Sequence, residues 1–203
     1  MSEAERTALA AVLARAQAIG LLGPVPIGEH VDHARAMAAA VGDPPAEFLD
    51  LGAGGGVPGL VLAFEWPAAR GVLLDSRQRV CAFLEGALDE LGLAYRVVVA
   101  CGRAEDLARD PEYRGRFDVV TARSFGPPAV TAECGVGFLR PGGRLVVSEP
   151  PEPPEADRWP AEGLAQLGLV REAGGRFAVL RLGEPVRQRW PRRPGQPMKR
   201  PIW

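Results

Sequence analysis

The sequence predicts an α/β fold in which a doubly wound sheet of seven strands carries an N-terminal helical cap. Five short, continuously apolar segments alternate with helical segments, which is typical of a parallel sheet covered on both faces. A glycine cluster at residues 52–56 follows the first of these segments. Two further apolar segments flank Ala173-Gly174-Gly175 and predict a hairpin at one sheet edge. The 203 residues suffice for one ordinary domain and are too few for two.

The cap is predicted to consist of two helices. Apolar residues at helical spacing predict one helix over residues 3–18 and a second over residues 28–41. Asp43-Pro44-Pro45 then stops the second helix. We therefore assign residues 1–45 to the cap.

The strands of the core follow at regular intervals. They are predicted over residues 47–51, 71–75, 95–100, 117–123 and 142–149, with the hairpin over residues 168–172 and 176–182. A helix over residues 77–91 is expected to begin after Ser76, which is a good N-cap residue. The core comprises residues 46–186, in which Pro150–Asp157 has four prolines and predicts a stiff loop.

The charge of the chain is unevenly distributed. The net charge is −1, but residues 187–203 carry six bases and no acid. The 24 bases and 25 acids of the whole chain therefore leave 18 bases against 25 acids, or −7, in residues 1–186. A basic tail on an acidic body predicts binding to a polyanion or to a docking surface.

Several classes of protein are disfavoured. The three cysteines are odd in number and form no Cys-x-x-Cys pair, so neither a disulfide scaffold nor a thiolate zinc site is expected. The first residues carry acids where a signal peptide needs bases, and no segment has the roughly 18 apolar residues that span a bilayer. We expect a cytoplasmic protein with no membrane segment and no metal ion.

The glycine cluster predicts a nucleotide site. The run from Asp50 to Gly56 has the form D-x-G-x-G-x-G, and glycine is needed where a nucleotide lies against the backbone. Asp75 ends the next strand, where an acid can bind ribose hydroxyls. The pattern fits a dinucleotide or S-adenosylmethionine. Asp50 favours the second, because its carboxylate can face the ammonium group directly or through water.

Five segments of the chain resemble one known family. They are FLDLGAGGGVPGLVLAF, LLDS at residues 73–76, GRAED at residues 102–106, TARSF at residues 121–125 and the tail RWPRRPGQPMKRP. They are similar to the bacterial 16S ribosomal RNA guanine-N7 methyltransferase G family, also called glucose-inhibited division protein B. The resemblance covers about residues 20–200 and implies a Rossmann-like class I methyltransferase that uses S-adenosylmethionine and acts on rRNA of the small ribosomal subunit.

The resemblance also implies roles for individual residues. Glycines of the loop would line the methionine and ribose, Asp75 would bind the ribose, and Ala104 and Glu105 would border the adenine. Together with Asp50, the cofactor-binding residues are then Asp50, Gly52, Gly54, Gly56, Asp75, Ser76, Ala104, Glu105 and Arg123. The substrate would face Arg192, Arg193, Lys199 and Arg200.

Arg123 and Ser124 are the catalytic candidates, and they act by orientation. A sulfonium methyl is already activated, so displacement mainly needs a nucleophile held at about 3 to 3.5 Å on the correct axis. Guanine N7 has a lone pair and loses no proton. Arg123 could bond the base's O6 or a phosphate, or it could instead form a structural ion pair with an acid such as Glu105.

A small aromatic heterocycle is the alternative substrate. Ser148-Glu149 places an acid near the expected mouth of the site, and the chain as a whole is not basic. Such a substrate could need a base to remove an N–H proton, for which Glu29, His30 and His33 are candidates. A non-catalytic nucleotide or RNA binder is a third, weaker hypothesis, because the loop, Asp75 and Arg123 are all present.

The tail has two interpretations that do not exclude each other. Its bases could grip phosphates while Trp190 or Trp203 stacks on an unpaired base. Its aromatic residues could equally anchor the segment on the body, while four prolines prevent regular helix.

Overall fold

The computed structural model describes residues 1–151 and 157–203, which form one sheet covered by helices. The strands are β1 (Glu47–Leu51), β2 (Arg70–Asp75), β3 (Val97–Cys101), β4 (Phe117–Ala122), β5 (Leu139–Ser148), β6 (Leu169–Ala173) and β7 (Phe177–Leu182). The helices are α1 (Glu3–Ala18), α2 (Ile27–Val41), α3 (Gly59–Glu65), α4 (Gln78–Glu90), α5 (Ala104–Leu107), α6 (Pro128–Val136), α7 (Ala161–Leu167) and α8 (Gln196–Lys199). The stiff loop predicted over residues 150–157 lies mostly outside the described residues.

The strand order confirms the predicted fold class. The seven strands lie in the order β3-β2-β1-β4-β5-β7-β6, and β1 to β5 are parallel. β7 runs antiparallel to both β5 and β6, as the predicted edge hairpin requires. From β1 the chain continues to β2 and β3 on one side of that strand, and it then returns to form β4 on the other side. A crevice is expected at the carboxyl ends of β1 and β4.

The sheet separates two apolar cores. Along β1 the side chains alternate, so that Phe48 packs under α3 and α4 while Leu49 and Leu51 face α6 and the tail. The alternation places Asp50 on the same face as Phe48, beneath the start of α3. Its carboxylate is 1% exposed as a result.

The cap packs on the first of these faces. α1 begins at a capping box, in which Ser2 and Glu5 satisfy each other's backbone N–H groups. α2 packs against α3 and against β5 and β7. His33 of α2 lies 2.8 Å, Nε2 to Oγ, from Ser148 at the end of β5. The second cap helix therefore lies beside the carboxyl edge of the sheet, where the crevice forms.

Some local predictions are wrong. Ser76 does not cap α4, which begins one residue later after Arg77. The reason is that the Asp75 carboxylate accepts a hydrogen bond from the backbone N–H of Arg77, at 3.0 Å, and takes the capping role. β5 begins at Leu139, so that the predicted turn at residues 141–143 lies inside the strand. The tail contains one helical turn, α8, despite its prolines.

The cysteines depart from expectation as well. Cys81 at the start of α4 and Cys101 at the end of β3 form a disulfide with a Cα–Cα distance of 5.8 Å, while Cys134 is free and buried. This single bond is not a scaffold, and it lies beside Asp75, which pairs with Cys101 in the sheet. Among the described residues, no helix is long and apolar enough to cross a membrane, and no three potential metal ligands cluster.

Candidate cofactor and substrate site

A cavity of about 360 Å³ lies at the carboxyl edge of the sheet. Its volume falls in the range of small-molecule sites, about 300 to 1,000 Å³. Its lining consists of Gly52, Leu74, Asp75, Ser76, Arg77, Gly102, Arg103, Ala104, Glu105, Ser124, Phe125, Val130, Cys134 and Met198. Six of the predicted residues are among them, namely Gly52, Asp75, Ser76, Ala104, Glu105 and Ser124. The predicted residues Asp50, Gly54, Gly56 and Arg123 do not line this cavity.

The glycine loop is fixed to the end of β2. The backbone N–H groups of Gly52 and Ala53 both donate to the carbonyl oxygen of Leu74, at 2.8 Å. Gly52 has a φ of 74°, and a Cβ there would lie 2.7 Å from the ring of Phe125. Gly56 has a φ of 91°, and a Cβ there would lie 2.4 Å from Leu60. Gly52 therefore shapes the cavity, whereas Gly56 packs against α3.

Asp75 joins the loop to the cavity floor. Its carboxylate accepts hydrogen bonds from the backbone N–H of Gly54, at 3.1 Å, and from the backbone and guanidinium of Arg77. Burial on its own raises the pKa of Asp75, but these hydrogen bonds outweigh it and hold the pKa below its ordinary value. These four hydrogen bonds fill the roughly four acceptor sites of the ionised carboxylate, so a further hydroxyl group can bind it only where the exposed guanidinium of Arg77 gives way.

Asp50 supports the loop from inside. Its Oδ2 accepts from the backbone N–H of Gly59 at 2.8 Å, and its Oδ1 accepts from the Thr121 hydroxyl at 3.0 Å. Burial raises the pKa of Asp50 to about 7, against the effect of these hydrogen bonds and of the nearby Arg123. The carboxylate is thus turned under α3, which is not the position facing the cofactor that the sequence predicted.

Arg123 lies just beyond β4 and points toward the cap. Its Nη2 donates to His30 Nδ1 at 2.8 Å, and its Nη1 is buried without a hydrogen-bond partner among the described residues. Burial lowers the pKa of Arg123, and the nearby Asp50 partly offsets this. An ion pair with Glu105 was the structural alternative, and it is wrong because Glu105 pairs with Arg103, 2.8 Å away.

Ser124 occupies a strained backbone position at the cavity. Its φ of 55° is the left-handed region, and it is the one non-glycine residue with positive φ in the described part of the chain. Such conformations cluster at functional sites. The turn directs Ser124 and Phe125 into the cavity wall while Arg123 faces the cap.

His33 belongs to a polar cluster at the other side of Arg123. Its Nε2–H donates to Ser148, and its Nδ1 accepts from Arg176 Nη2 at 3.3 Å. Burial, with the positive charges of Arg123 and Arg176, lowers the pKa of His33 to about 4. Both ring nitrogens are occupied, so His33 is not free to act as a base. Glu29 is exposed on α2 and makes no ion pair with the described residues.

The lowered pKa of His33 predicts a pH effect on stability. In the unfolded chain a histidine titrates near 6.5, so between about pH 6.5 and 4 the unfolded state binds more protons than the folded state. The contribution of His33 to the free energy of unfolding therefore falls as the pH is lowered through this window, while Asp50, whose pKa is raised, contributes with the opposite sign. In urea titrations at several pH values, His33→Gln should lose less stability than the wild type, and parallel curves would contradict this assignment.

Glu149, the acid predicted at the mouth of the site, is buried and bound to other residues of the fold. Glu149 accepts a hydrogen bond from Trp159 Nε1 at 2.7 Å and pairs with Arg158 at 3.0 Å. Its side chain is 8% exposed. Its charge is thereby neutralised within the fold, and it does not repel an approaching polyanion.

The tail forms one wall of the cavity. Met198 of α8 lines it, and the backbone N–H of Gly195 donates to Glu105 Oε1 at 3.0 Å. Burial on its own raises the pKa of Glu105, but the hydrogen bonds from Arg103 and Gly195 hold it below its ordinary value. The Glu105 carboxylate thus binds the tail, and Glu105 lines the cavity together with Ala104.

Arg192 anchors the tail on the body. The carboxylate of Glu133, which is fully buried in α6, accepts from the Arg192 backbone N–H at 2.8 Å and from its Nε and Nη2 at 2.8 and 2.5 Å. The hydrogen bond to Glu133 raises the pKa of Arg192. Arg192 is thus a structural residue, and its predicted contact with the substrate stays a prediction.

The aromatic residues of the tail are structural too. Trp190 is 5% exposed, and its Nε1 donates to the carbonyl oxygen of Gln166 at 3.0 Å. Trp203 packs on Gly163 and donates to the carbonyl oxygen of Arg158. Stacking of Trp190 on an RNA base is therefore wrong, and the anchoring interpretation is the one that the packing fits.

The other five bases of the tail are exposed. Arg193, Lys199 and Arg200 make no ion pair with the residues that the structure describes. Lys199 and Arg200, with Arg192 and Gln196, line a second cavity of about 440 Å³. The single turn of α8 and the residue after it thus present Met198 to one cavity and the cationic side chains of Lys199 and Arg200 to the other.

Several residues of the site were not predicted. Arg77, Arg103, Phe125, Cys134 and Met198 all line the main cavity. Arg103 and Phe125 lie inside segments that carry the family resemblance, which was a usable signal. Glu133 also had a signal, because it is a lone acid in an apolar helical segment and buried acids require a partner.

The fold and the cavity define a class of protein. A sheet of this strand order, with a glycine loop after β1, an acid at the end of β2 and a cavity between them, has the fold of class I methyltransferases. Solved structures share this fold. Cofactor-bound Rv0187 from MTB has a TM-score of 0.61 and 24% identity, covering 88% of this chain and 90% of that one. The O-methyltransferase from Bacillus cereus in complex with SAH has a TM-score of 0.60 and 17% identity, covering 87% of this chain and 90% of that one.

Comparison with protein families gives the particular assignment. The model of GidB, rRNA small subunit methyltransferase G, matches residues 12–149. A Ribosomal RNA small subunit methyltransferase G from Thermotoga sp. (strain RQ2) is 40% identical over 164 residues, which are 76% of this chain and 71% of the relative. The Ribosomal RNA small subunit methyltransferase G of Symbiobacterium thermophilum is 34% identical over 189 residues, which are 85% of this chain and 76% of the relative. The chain belongs to the GidB family and is an S-adenosylmethionine-dependent methyltransferase.

Proposed function

We propose that this protein methylates N7 of a guanine in the rRNA of the small ribosomal subunit, in the cytoplasm. The names of its relatives supply the substrate class. The observation that carries the chemistry is the buried Nη1 of Arg123, which has no partner among the described residues. A buried donor without an acceptor is costly, so a ligand atom is expected to complete it.

The cavity has the groups that S-adenosylmethionine requires. When bound, this cofactor supplies a methyl group that is activated by its sulfonium. We assign the ribose hydroxyls to the carboxylate of Asp75, the adenine to the wall at Ala104, and the chain of the cofactor to the open backbone at Gly52. Ser76 borders the same cavity. Gly54 and Gly56 contribute by holding the loop rather than by lining the cavity.

Arg123 is assigned the orientation of the base. A guanidinium donates to guanine O6, and in that pose N7 stays free for the incoming methyl group. No general base is needed because N7 carries a lone pair and loses no proton. This agrees with the engaged ring nitrogens of His30 and His33, neither of which has a lone pair to spare.

Capture of RNA is assigned to Arg193, Lys199 and Arg200. They are exposed, Lys199 and Arg200 line the second cavity, and the body carries a net charge of −7 by the count above. Only a few phosphates would be neutralised by such a local grip. The salt dependence of binding should therefore be shallow compared with that of an extended basic surface.

A direct assay tests the substrate class. The protein is incubated with radioactive S-adenosylmethionine and either small ribosomal subunits from a strain that lacks the modification or a pool of small indoles and purines. We expect label in the subunits. The small aromatic heterocycle was favoured by an acid at the mouth, and the internal pairing of Glu149 weakens that argument. Label in the pool alone would support it, and label in neither, with tight cofactor binding, would support a non-catalytic binder.

Asp75→Ala should weaken the binding of S-adenosylmethionine by about 1 to 3 kcal/mol, because a hydrogen bond from the ribose to a buried acceptor is lost. Isothermal titration calorimetry measures this directly. Arg77→Ala is the matched control, since it removes the guanidinium that Asp75 binds and leaves the carboxylate in place. Equal losses in the two variants would mean that Asp75 only organises the loop, and unchanged affinity in Asp75→Ala would contradict the assignment.

A further inference from the structure

His30 is a buried residue of the cap whose two ring nitrogens face different partners. It is 1% exposed on α2. Its Nε2 lies 3.1 Å from the carbonyl oxygen of Gly23, and its Nδ1 lies 2.8 Å from Nη2 of Arg123. A carbonyl only accepts and a guanidinium only donates. The network therefore assigns a neutral ring with its proton on Nε2 and its Nδ1 lone pair directed at Arg123.

This arrangement fixes an otherwise adjustable side chain. Arg123 follows the last residue of β4, at the start of an irregular turn that includes the strained Ser124. Among the described residues, His30 is its only hydrogen-bond partner. The histidine itself is held by the loop between α1 and α2, so the cap determines where the guanidinium points and where its open Nη1 lies.

A neutral acceptor can hold Arg123 and still leave its Nη1 for a ligand, which a carboxylate does less well. A carboxylate could form two parallel hydrogen bonds with the guanidinium, one from each of two nitrogens, and would also neutralise its charge. The single lone pair of His30 engages Nη2 and leaves Nη1 unpaired and buried. His30 has no lone pair left for a substrate proton, so a role as general base is not consistent with this geometry.

We infer that His30 is a positioning residue, which acts through Arg123 to orient the guanine. The inference rests on the proposed function, because it gives Arg123 the task of binding the base. It assigns to α2 a specific part in the transfer step, in addition to its packing against α3.

Substitutions at His30 separate this role from a structural one. Loss of the acceptor in His30→Ala should lower kcat/KM for methyl transfer to small subunits by about tenfold or more, since a loosened orienting group misplaces the nucleophile. His30→Asn keeps an acceptor close to the position of Nδ1 and should recover most of the rate. His30→Gln places its amide near the position of Nε2 and should not.

The coupling is tested in the same assay. In an Arg123→Ala background, measured with excess enzyme in a single turnover, His30→Ala should cause no further loss. The affinity for S-adenosylmethionine should be unchanged in every His30 variant. Equal rates for the alanine and asparagine variants, a full additional loss in the Arg123→Ala background, or weakened cofactor binding would each overturn the inference.

A spectroscopic measurement needs no catalytic activity. The chain has two histidines, so ¹⁵N-labelled histidine gives a simple NMR spectrum. We expect the Nε2–H form for His30, with a Nδ1 resonance that moves in Arg123→Ala and stays in Arg35→Ala, a control on the same helix. If wild-type protein fails to label rRNA but this shift is seen, the proposed substrate is wrong and the contact stands. If Nδ1 does not respond to Arg123→Ala, the inference itself fails.

Discussion

Arg123→Ala should reduce methyl transfer by at least about 100-fold while S-adenosylmethionine still binds. The expected loss follows from orientation, because misplacing a nucleophile by about 1 Å can cost a factor of about 100 in rate. The side chain lies outside the lining of the cofactor cavity, so its removal leaves that cavity intact. Single-turnover transfer to small ribosomal subunits measures the rate, and calorimetry measures the binding.

Two further variants distinguish a contact with the base from a contact with a phosphate and supply a control. Arg123→Lys keeps the charge but loses the planar fork, so it should be nearly as slow as the alanine variant. Recovery of activity with lysine would indicate a phosphate contact instead of a contact with the base. Arg35→Ala is the control, because Arg35 is a half-exposed cap arginine paired with Glu65, and its loss should leave the rate unchanged.

The second large effect is on stability. Arg192→Ala should lower the free energy of unfolding by about 3 kcal/mol, because it leaves the fully buried carboxylate of Glu133 without its charged partner. The backbone N–H of residue 192 still donates to that carboxylate, which keeps the loss near the lower end of the range for broken buried pairs. Urea denaturation gives the value for a chain that unfolds as one domain.

The neighbouring arginine supplies the matched control. Arg193→Ala should change stability by less than about 0.5 kcal/mol, since Arg193 is exposed, but it should weaken binding of small subunits. The double variant Glu133→Leu with Arg192→Met should recover most of the stability, because an apolar pair of similar size avoids the desolvation penalty. A fully destabilised double variant, or an Arg192→Ala protein as stable as the wild type, would contradict the anchoring role.

The sheet, the hairpin and the floor of the cofactor cavity were predictable from the sequence. Short, continuously apolar strands that alternate with helices predict a parallel sheet covered on both faces, and the glycine cluster marks the crevice where the strand order reverses. Gly52, Asp75 and Ser124 were found because each lies at or just after the end of a predicted strand, whereas Ala104 was implied by the family resemblance. The ends of strands can be located from the local residue pattern, and one sequence is enough to show that pattern.

The errors concern contacts between residues far apart in the chain. Asp50 and Glu149 were predicted to face a ligand or solvent, and each instead has a partner within the fold. Pairs such as His30 with Arg123 and Glu133 with Arg192 are separated by 93 and 59 residues. The periodicity of apolar residues predicts which face of an element a side chain occupies. It does not identify the distant residue that the side chain contacts on that face.

The measurement that tests the central claim most directly is the identity of the methylated nucleoside. Small subunits labelled by the wild-type protein with radioactive S-adenosylmethionine are digested to nucleosides and separated by chromatography. The proposed mechanism predicts that the label is found in 7-methylguanosine, with little label after Arg123→Ala. Label on another base, on a ribose or on a ribosomal protein would contradict it.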